Sequence, residues 1–156
     1  MRAFDYIEIR IPAKPQYVSV IRLTISGMAT RIGFSYDQIE DLKIAVSEAV
    51  TNVVQHAYQG IEDGEIVIGS ALYPHKIEVM ISDFGSSFNF EEVKSNIGPY
   101  RDYENVELIR EGGLGLFLME TLMDEVRVNN EGGATVFMTK YVTREQVVED
   151  VEQIST

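Results

Sequence analysis

The segment SEAVTNVVQH, Ser47 to His56, decides how the chain is read. Within it Glu48, Asn52 and His56 follow one another at intervals of four, inside an otherwise apolar run. At about 100° per residue, a step of four advances a helix by one turn with only about 40° of drift, so the three side chains lie along one slowly turning stripe. Ile39, Leu42, Val46, Ala49, Val50 and Val53 form an apolar stripe mostly on other faces, and Ser35 followed by Gln38 has the pattern of a capping box. Together they predict a helix from about Tyr36 to Ala57. A polar stripe of this kind is either the solvated side of a surface helix or the floor of a binding site. Glu48 suits a base or a water-holding acid, and the Asn52 carboxamide oxygen suits a hard cation such as Mg²⁺. His56 suits a phosphate contact or a cap on the helix end.

The rest of the chain arranges itself around that helix. Residues 4 to 11 alternate, with Ile7, Ile9 and Ile11 on one side, and read as a half-buried strand ended by Pro12. Val18, Ile21, Ile25, Met28 and Ile32 step by three and four, which predicts an amphipathic helix from about Pro15 to Ile32, closed by Gly33. After a loop at Gly60 to Gly64, residues 65 to 73 and 76 to 83 read as two strands joined by Pro74-His75. The second places Ile77, Val79 and Ile81 on one face and Glu78, Met80 and Ser82 on the other. Residues 84 to 113 are irregular and contain Gly85, Gly98, Pro99, Gly112 and Gly113. So long a connection inside a compact domain reads as a functional loop or lid. A helix from about Leu114 to Met123, a strand from Glu125 to Asn129, a turn at Asn130 to Gly133 and a strand from Ala134 to Tyr141 follow. Residues 143 to 156 are a charged tail. The order β-α-α-β-β-lid-α-β-β predicts an α+β fold, a two-layer α/β sandwich with helices packed on one face of the sheet.

Composition narrows the classes of function. The chain has 156 residues, of which 45% are hydrophobic, enough for one domain, residues 1 to 156, with a sizeable core. The absence of cysteine excludes a disulfide scaffold, thiolate metal sites and cysteine nucleophiles, and fits a reducing compartment. MRAFDYIEIRI has no signal-peptide core, and the apolar runs fall far short of the roughly 20 residues that cross a bilayer. A soluble, cytoplasmic protein is expected, without a membrane partner. The net charge of −12 repels phosphate backbones and anionic lipid, which argues against direct nucleic-acid binding. It suits a basic partner, and equally it suits plain solubility.

Three further motifs carry chemistry. SDFGSSF, Ser82 to Phe88, places Asp83 at a strand end with Gly85 after it, so a carboxylate accepts from a ligand amine while the backbone turns behind it. Asp-x-Gly is also an everyday turn. No strand lysine or His-Arg-Asp loop accompanies the Asp-Phe-Gly triplet as in the protein kinases. REGGLGLFLME, Arg110 to Glu120, runs glycines 112, 113 and 115 into a helix, whose unpaired N–H groups and positive dipole end form a phosphate site or a hinge. Arg110 adds a fixed positive charge. The segment is neither a Walker A loop nor a Rossmann fingerprint. In GGATVF, Gly132 to Phe137, Thr135 offers a hydroxyl on the last strand, where threonine is also simply a good strand former.

In that order the motifs resemble the GHKL ATPase/kinase superfamily, whose ATP site has an N box, two glycine boxes and a threonine strand. Within it the chain looks similar to the RsbW-type family of anti-sigma factors and serine-protein kinases of Gram-positive bacteria. The phrases DYIEIRIPAKPQYV, EDLKIAVSEAVTNVVQHAY, EGGLGLFLMETLMDEVRV and MTKY carry the likeness over roughly residues 4 to 142. The resemblance implies a Bergerat-type fold, with a mixed sheet and a long ATP lid, that uses ATP and Mg²⁺. It implies Glu48 as the catalytic base or water-orienting acid, Asn52 as the Mg²⁺ ligand, and Asp83 as acceptor from the adenine amino group with Gly85 giving the turn. Arg110, Gly113, Leu114 and Gly115 would form the lid end around the phosphates, Thr135 would support the adenine end, and His56 would contact nucleotide. One departure stands out: where the first glycine box often reads Asp-x-Gly-x-Gly, the second glycine here is Ser87. The implied partners are a sigma factor and a small anti-anti-sigma antagonist protein, the phosphorylation substrate, met by a homodimer. Two alternatives remain at this stage: an ATP-binding anti-sigma module without phosphotransfer, and the catalytic half of a histidine kinase. Against the second, only about 35 residues precede the N-box helix, too few for a phosphoacceptor helix pair.

Overall fold

A pair of helices, where a hairpin or a single crossover helix might stand, joins the first two strands, and this sets the direction of every strand that follows. The computed structural model describes residues 3–57, 64–83, 114–129 and 135–143. Strand β1 (Asp5–Pro12) passes through a single 3-10 turn (Pro15–Tyr17) into helix α1 (Val18–Ile32), which runs back along it; helix α2 (Tyr36–Ala57) then reverses again. A third reversal after α2 brings the chain into β2 (Glu65–Leu72) antiparallel to β1, from Asp5 opposite Leu72 to Pro12 opposite Glu65. Strand β3 (Lys76–Ser82) pairs with β2 as a hairpin. Helix α3 (Leu114–Leu122) leads to β4 (Glu125–Asn129), which takes the sheet edge, and β5 (Thr135–Tyr141) inserts between β3 and β4.

The order is β1-β2-β3-β5-β4, and every pairing is antiparallel. The mixed sheet that the resemblance implied is therefore corrected to an antiparallel one among the described strands. A parallel neighbour needs one crossover helix, whereas here the helices come as a pair between β1 and β2, and β5 separates β3 from β4.

Local signals place the helix ends where the sequence puts them. Gly33 closes α1 with φ of 91°, a left-handed conformation that glycine adopts without a Cβ penalty, and Phe34 N–H donates to Ala29 O at 3.2 Å across the cap. Two residues later the capping box is complete. Gln38 N–H donates to Ser35 Oγ at 3.3 Å, and Ser35 N–H donates to Gln38 Oε1 at 3.1 Å. The Gln38 amide nitrogen also donates to Thr143 Oγ1, tying the start of α2 to the end of β5. At the same end of β5 Lys140 Nζ donates to Leu122 O at 2.7 Å, and Asp124 N–H donates to Thr139 O at 3.0 Å. These bonds satisfy the C-terminal carbonyl of α3 and hold that helix against β5.

One core contains the buried side chains of all three helices together with Ile66, Ile68 and Leu72 of β2, Ile77, Val79 and Ile81 of β3, Val126 and Val128 of β4, and Val136 and Met138 of β5. The described helices thus pack on one face of the sheet, as expected. The opposite face departs from the half-solvated alternation that β3 suggested: Glu78, Met80 and Ser82 are all buried, and Met80 joins Ala71, Tyr73 and Phe137 in a second apolar cluster. Helix α2 is the middle helix, packed against both α1 and α3. Among the described residues no helix is long and apolar enough to cross a membrane. The expected lid, the turn at Asn130 to Gly133 and most of the tail lie outside the described residues.

Removing the cap on α2 tests this reading of the fold. Ser35→Ala is expected to lower the free energy of unfolding by about 1 kcal/mol, measured by urea denaturation, because the N–H of Gln38 loses its acceptor.

Candidate active site

Helix α2 meets two different surroundings along the Glu48-Asn52-His56 stripe. Leu42, Ala45, Val46, Ala49, Val50, Val53 and Val54 are all buried, so α2 is apolar over most of its circumference. The stripe therefore has little solvent of its own. Asn52 is only 4% exposed, and neither its amide nitrogen nor its carbonyl oxygen has a hydrogen-bond partner among the described residues. A buried carboxamide with both ends unmet costs about 1–3 kcal/mol. Such a group in a native fold calls for a ligand or another explanation. That decides against the solvated-face reading for Asn52.

Glu48, one turn earlier, is half-buried and lies against the start of α3. A Cβ built on Gly115 would stand 3.1 Å from Glu48 Cδ and 3.2 Å from Cγ, with the carboxylate oxygen Oε1 closer still. The carboxylate therefore occupies the space that a side chain at position 115 would fill. Beside it, Arg22 Nε of α1 donates to Ser47 Oγ at 3.0 Å, linking α1 to the residue before Glu48. His56 lies in the last turn of α2, and its side chain is outside the described residues.

The other end of the site is built by the sheet. Ser82 and Thr135 are directly opposite in the β3–β5 register, and their hydroxyls lie 3.2 Å apart, Ser82 fully buried and Thr135 2% exposed. Asp83 follows Ser82 at the strand end and is half-buried. Its carboxylate is able to accept from an exocyclic amine. The register brings the end of β3 and the start of β5 side by side, with the Ser82 and Thr135 hydroxyls on the sheet face turned away from the helices. Helix α2 packs against β3 and β5 on the other face, which carries Ile81 and Val136. Gly85, Arg110 and Gly113 lie outside the described residues, as does Ser87; Leu114 is the first residue of α3, with its side chain outside them.

The donor set fits Mg²⁺ in one particular way. Among the described residues no group of three or more His, Cys, Asp or Glu side chains forms a metal cage. A single neutral oxygen, that of Asn52, is what this chain offers. Mg²⁺ often takes few protein ligands and completes its octahedron from phosphate oxygens and water, so an unpartnered carboxamide beside a phosphate site is a suitable partner. Two contributions were not visible in the sequence. Ser82 read only as a strand residue, and its pairing with Thr135 depends on a register that spans 53 positions of the chain. Gly115 read as part of a phosphate loop, while its closeness to Glu48 depends on how α3 sits on α2.

With the geometry in place, the chain can be set beside known proteins. Residues 11–140 match the family described as histidine kinase-like ATPase domain. The protein named serine-protein kinase RsbW of Oceanobacillus iheyensis is 56% identical over 156 residues, covering 100% of this chain and 99% of the relative. The protein of the same name from Bacillus subtilis is 55% identical over 146 residues, covering 94% and 91%. Among solved structures, the RsbU and RsbW domains of Rv1364c from Mycobacterium tuberculosis superpose with a TM-score of 0.61 at 23% identity, over 87% of this chain and 32% of that one. This likeness supports the fold.

The unmet carboxamide has a measurable consequence in the protein without ligand. Asn52→Leu, which keeps the volume and removes the two polar atoms, is expected to raise the free energy of unfolding by about 1 kcal/mol or more. A loss of stability in urea denaturation would show that the carboxamide is satisfied in the fold.

Proposed function

Because the chain belongs to the histidine kinase-like ATPase domain family and, within it, to the RsbW serine-protein kinases, we propose that it transfers the γ-phosphate of ATP to a serine of a small anti-anti-sigma protein and, when that substrate is absent or spent, holds a sigma factor. The observation that carries the site assignment is the pair on α2: Asn52, buried with an unpartnered carboxamide, one turn after a Glu48 carboxylate set against the start of α3.

In this reading Asp83, at the end of β3, receives the adenine, and Thr135, at the start of β5, is proposed to support that end. The phosphates extend toward the start of α3, where unpaired backbone N–H groups and the helix dipole favour negative charge. Arg110, Gly113, Leu114 and Gly115 are proposed to line this end, and His56 to contact nucleotide. Asn52 would hold Mg²⁺ together with phosphate oxygens, and the ion would neutralise charge on the triphosphate. Glu48 accepts the proton of the substrate serine hydroxyl as its oxygen forms a bond to the γ-phosphorus; the bond from that phosphorus to the β,γ-bridging oxygen breaks and ADP departs with the electron pair. No covalent intermediate on the enzyme is needed. Most of the rate enhancement is positioning and electrostatics, which a rigid α2 supplies.

The partners belong to the proposal as well. A net charge of −12 suits a sigma-factor segment rich in Lys and Arg, and it disfavours direct contact with nucleic acid. A cytoplasmic homodimer is proposed, since sigma factors and ATP are found in the cytoplasm. An ATP-binding module without phosphotransfer is not favoured, because the relatives are named as kinases and the carboxylate needed for proton transfer is in place.

Phosphate transfer from labelled ATP to the antagonist protein tests the assignment. Glu48→Gln is expected to keep ATP binding and to slow transfer by about 10²- to 10⁴-fold, the usual contribution of a general base. Asn52→Ala is expected to lose the Mg²⁺-dependent part of ATP binding. Full transfer by both variants would place the chemistry elsewhere.

A further inference from the structure

We propose that Gly115 is a positioning residue for Glu48, and that its part in the reaction is the room it leaves for the carboxylate. The inference rests on the reading of Glu48 as the base and adds a second residue to that role. Gly115 is buried in the first turn of α3, on the side that faces α2. A Cβ there would fall 3.1 Å from Glu48 Cδ, 3.2 Å from Cγ and nearer still to Oε1. All three of the nearest atoms belong to the Glu48 side chain. No backbone atom is among them, so the conflict falls on the Glu48 side chain and not on the main chain.

Two consequences separate this role from an ordinary helix glycine. The backbone at Gly115 is not in the left-handed region, unlike Gly33 at φ 91°, so an L side chain is tolerated by the main chain. Alanine also favours helix over glycine. A methyl group at 115 is therefore compatible with the main chain, and it damages the reaction because the carboxylate must move to admit it. A displacement of about 1 Å at a reacting group is enough to cost a large factor in rate. The glycine thus ties the seat of α3 on α2 to the place where the base stands. A glycine that served only to admit phosphate to the helix start would act on nucleotide binding instead.

The test is a double-mutant cycle with three readouts: transfer of phosphate to the antagonist protein, binding of a fluorescent ATP analogue, and the thermal midpoint. Gly115→Ala is expected to remain folded at the assay temperature and, at saturating nucleotide, to transfer phosphate about tenfold more slowly or worse. Glu48→Gln removes the base, so the place of that side chain no longer bears on proton transfer. In that background Gly115→Ala is expected to cost less than about threefold, the non-additivity of two groups in contact. Unchanged transfer in Gly115→Ala overturns the inference. So does a rate that saturating nucleotide restores, an equal fold-loss in both backgrounds, or a midpoint low enough to unfold the variant at the assay temperature. Glu48→Gln assayed alongside separates the two levels. If it transfers at the wild-type rate, the reading of the base fails; if it is inactive while Gly115→Ala is unaffected, only the role of Gly115 fails.

Discussion

The burial of α2 between two other helices is the constraint on which the rest depends. A helix at the edge of a layer keeps a solvated face, and polar groups on that face have water for a partner. The middle helix of this layer keeps only a strip along Ile44, Ser47, Thr51 and Gln55 for water: α1 covers one flank, α3 the other, and the sheet lies beneath. A polar side chain off that strip, such as Asn52, must be satisfied inside the protein or by what binds to it. Asn52 is satisfied by neither described backbone nor described side chain. Its carboxamide is thus held ready at a cost in stability, as is expected of a ligand-binding group set in a rigid element.

The strand directions follow from the same helices. Because α1 and α2 form a pair, β2 returns antiparallel to β1, and the sheet grows outward through β3 and β5 to an edge at β4. That topology sets the end of β3 beside the start of β5 inside the sheet, where Ser82 pairs with Thr135 and Asp83 follows. Helix α3 then closes the layer on the far side of α2, anchored at its C-terminal end by Lys140 and Asp124 and set at its N-terminal end by the fit between Gly115 and Glu48.

Much of this was legible in the residues. The capping box at Ser35 and Gln38, the closing Gly33 and the three- and four-residue steps placed both long helices, since local hydrogen bonds and periodicity decide them. The 3-10 turn at Pro15–Tyr17, where a continuous helix was expected from Pro15, reflects the tighter geometry common at a helix start. The antiparallel sheet and the burial of both its faces were not legible, because strand direction and coverage are set by long-range pairing. At the site the residue types of Glu48, Asn52, Asp83 and Thr135 could be read from order and spacing. What their environments do to them could not: the same helical stripe serves a wet surface helix, and only the packing of α1 and α3 leaves Asn52 without water and Glu48 against a glycine.

A crystal structure with Mg²⁺ and a non-hydrolysable ATP analogue tests the central claim most directly. The Asn52 carboxamide oxygen is expected in the coordination shell of the ion, with Asp83 accepting from the adenine amino group and the Glu48 carboxylate facing the terminal phosphate. An analogue seated away from α2, or a metal shell without Asn52 and a carboxamide still unpartnered, would contradict it.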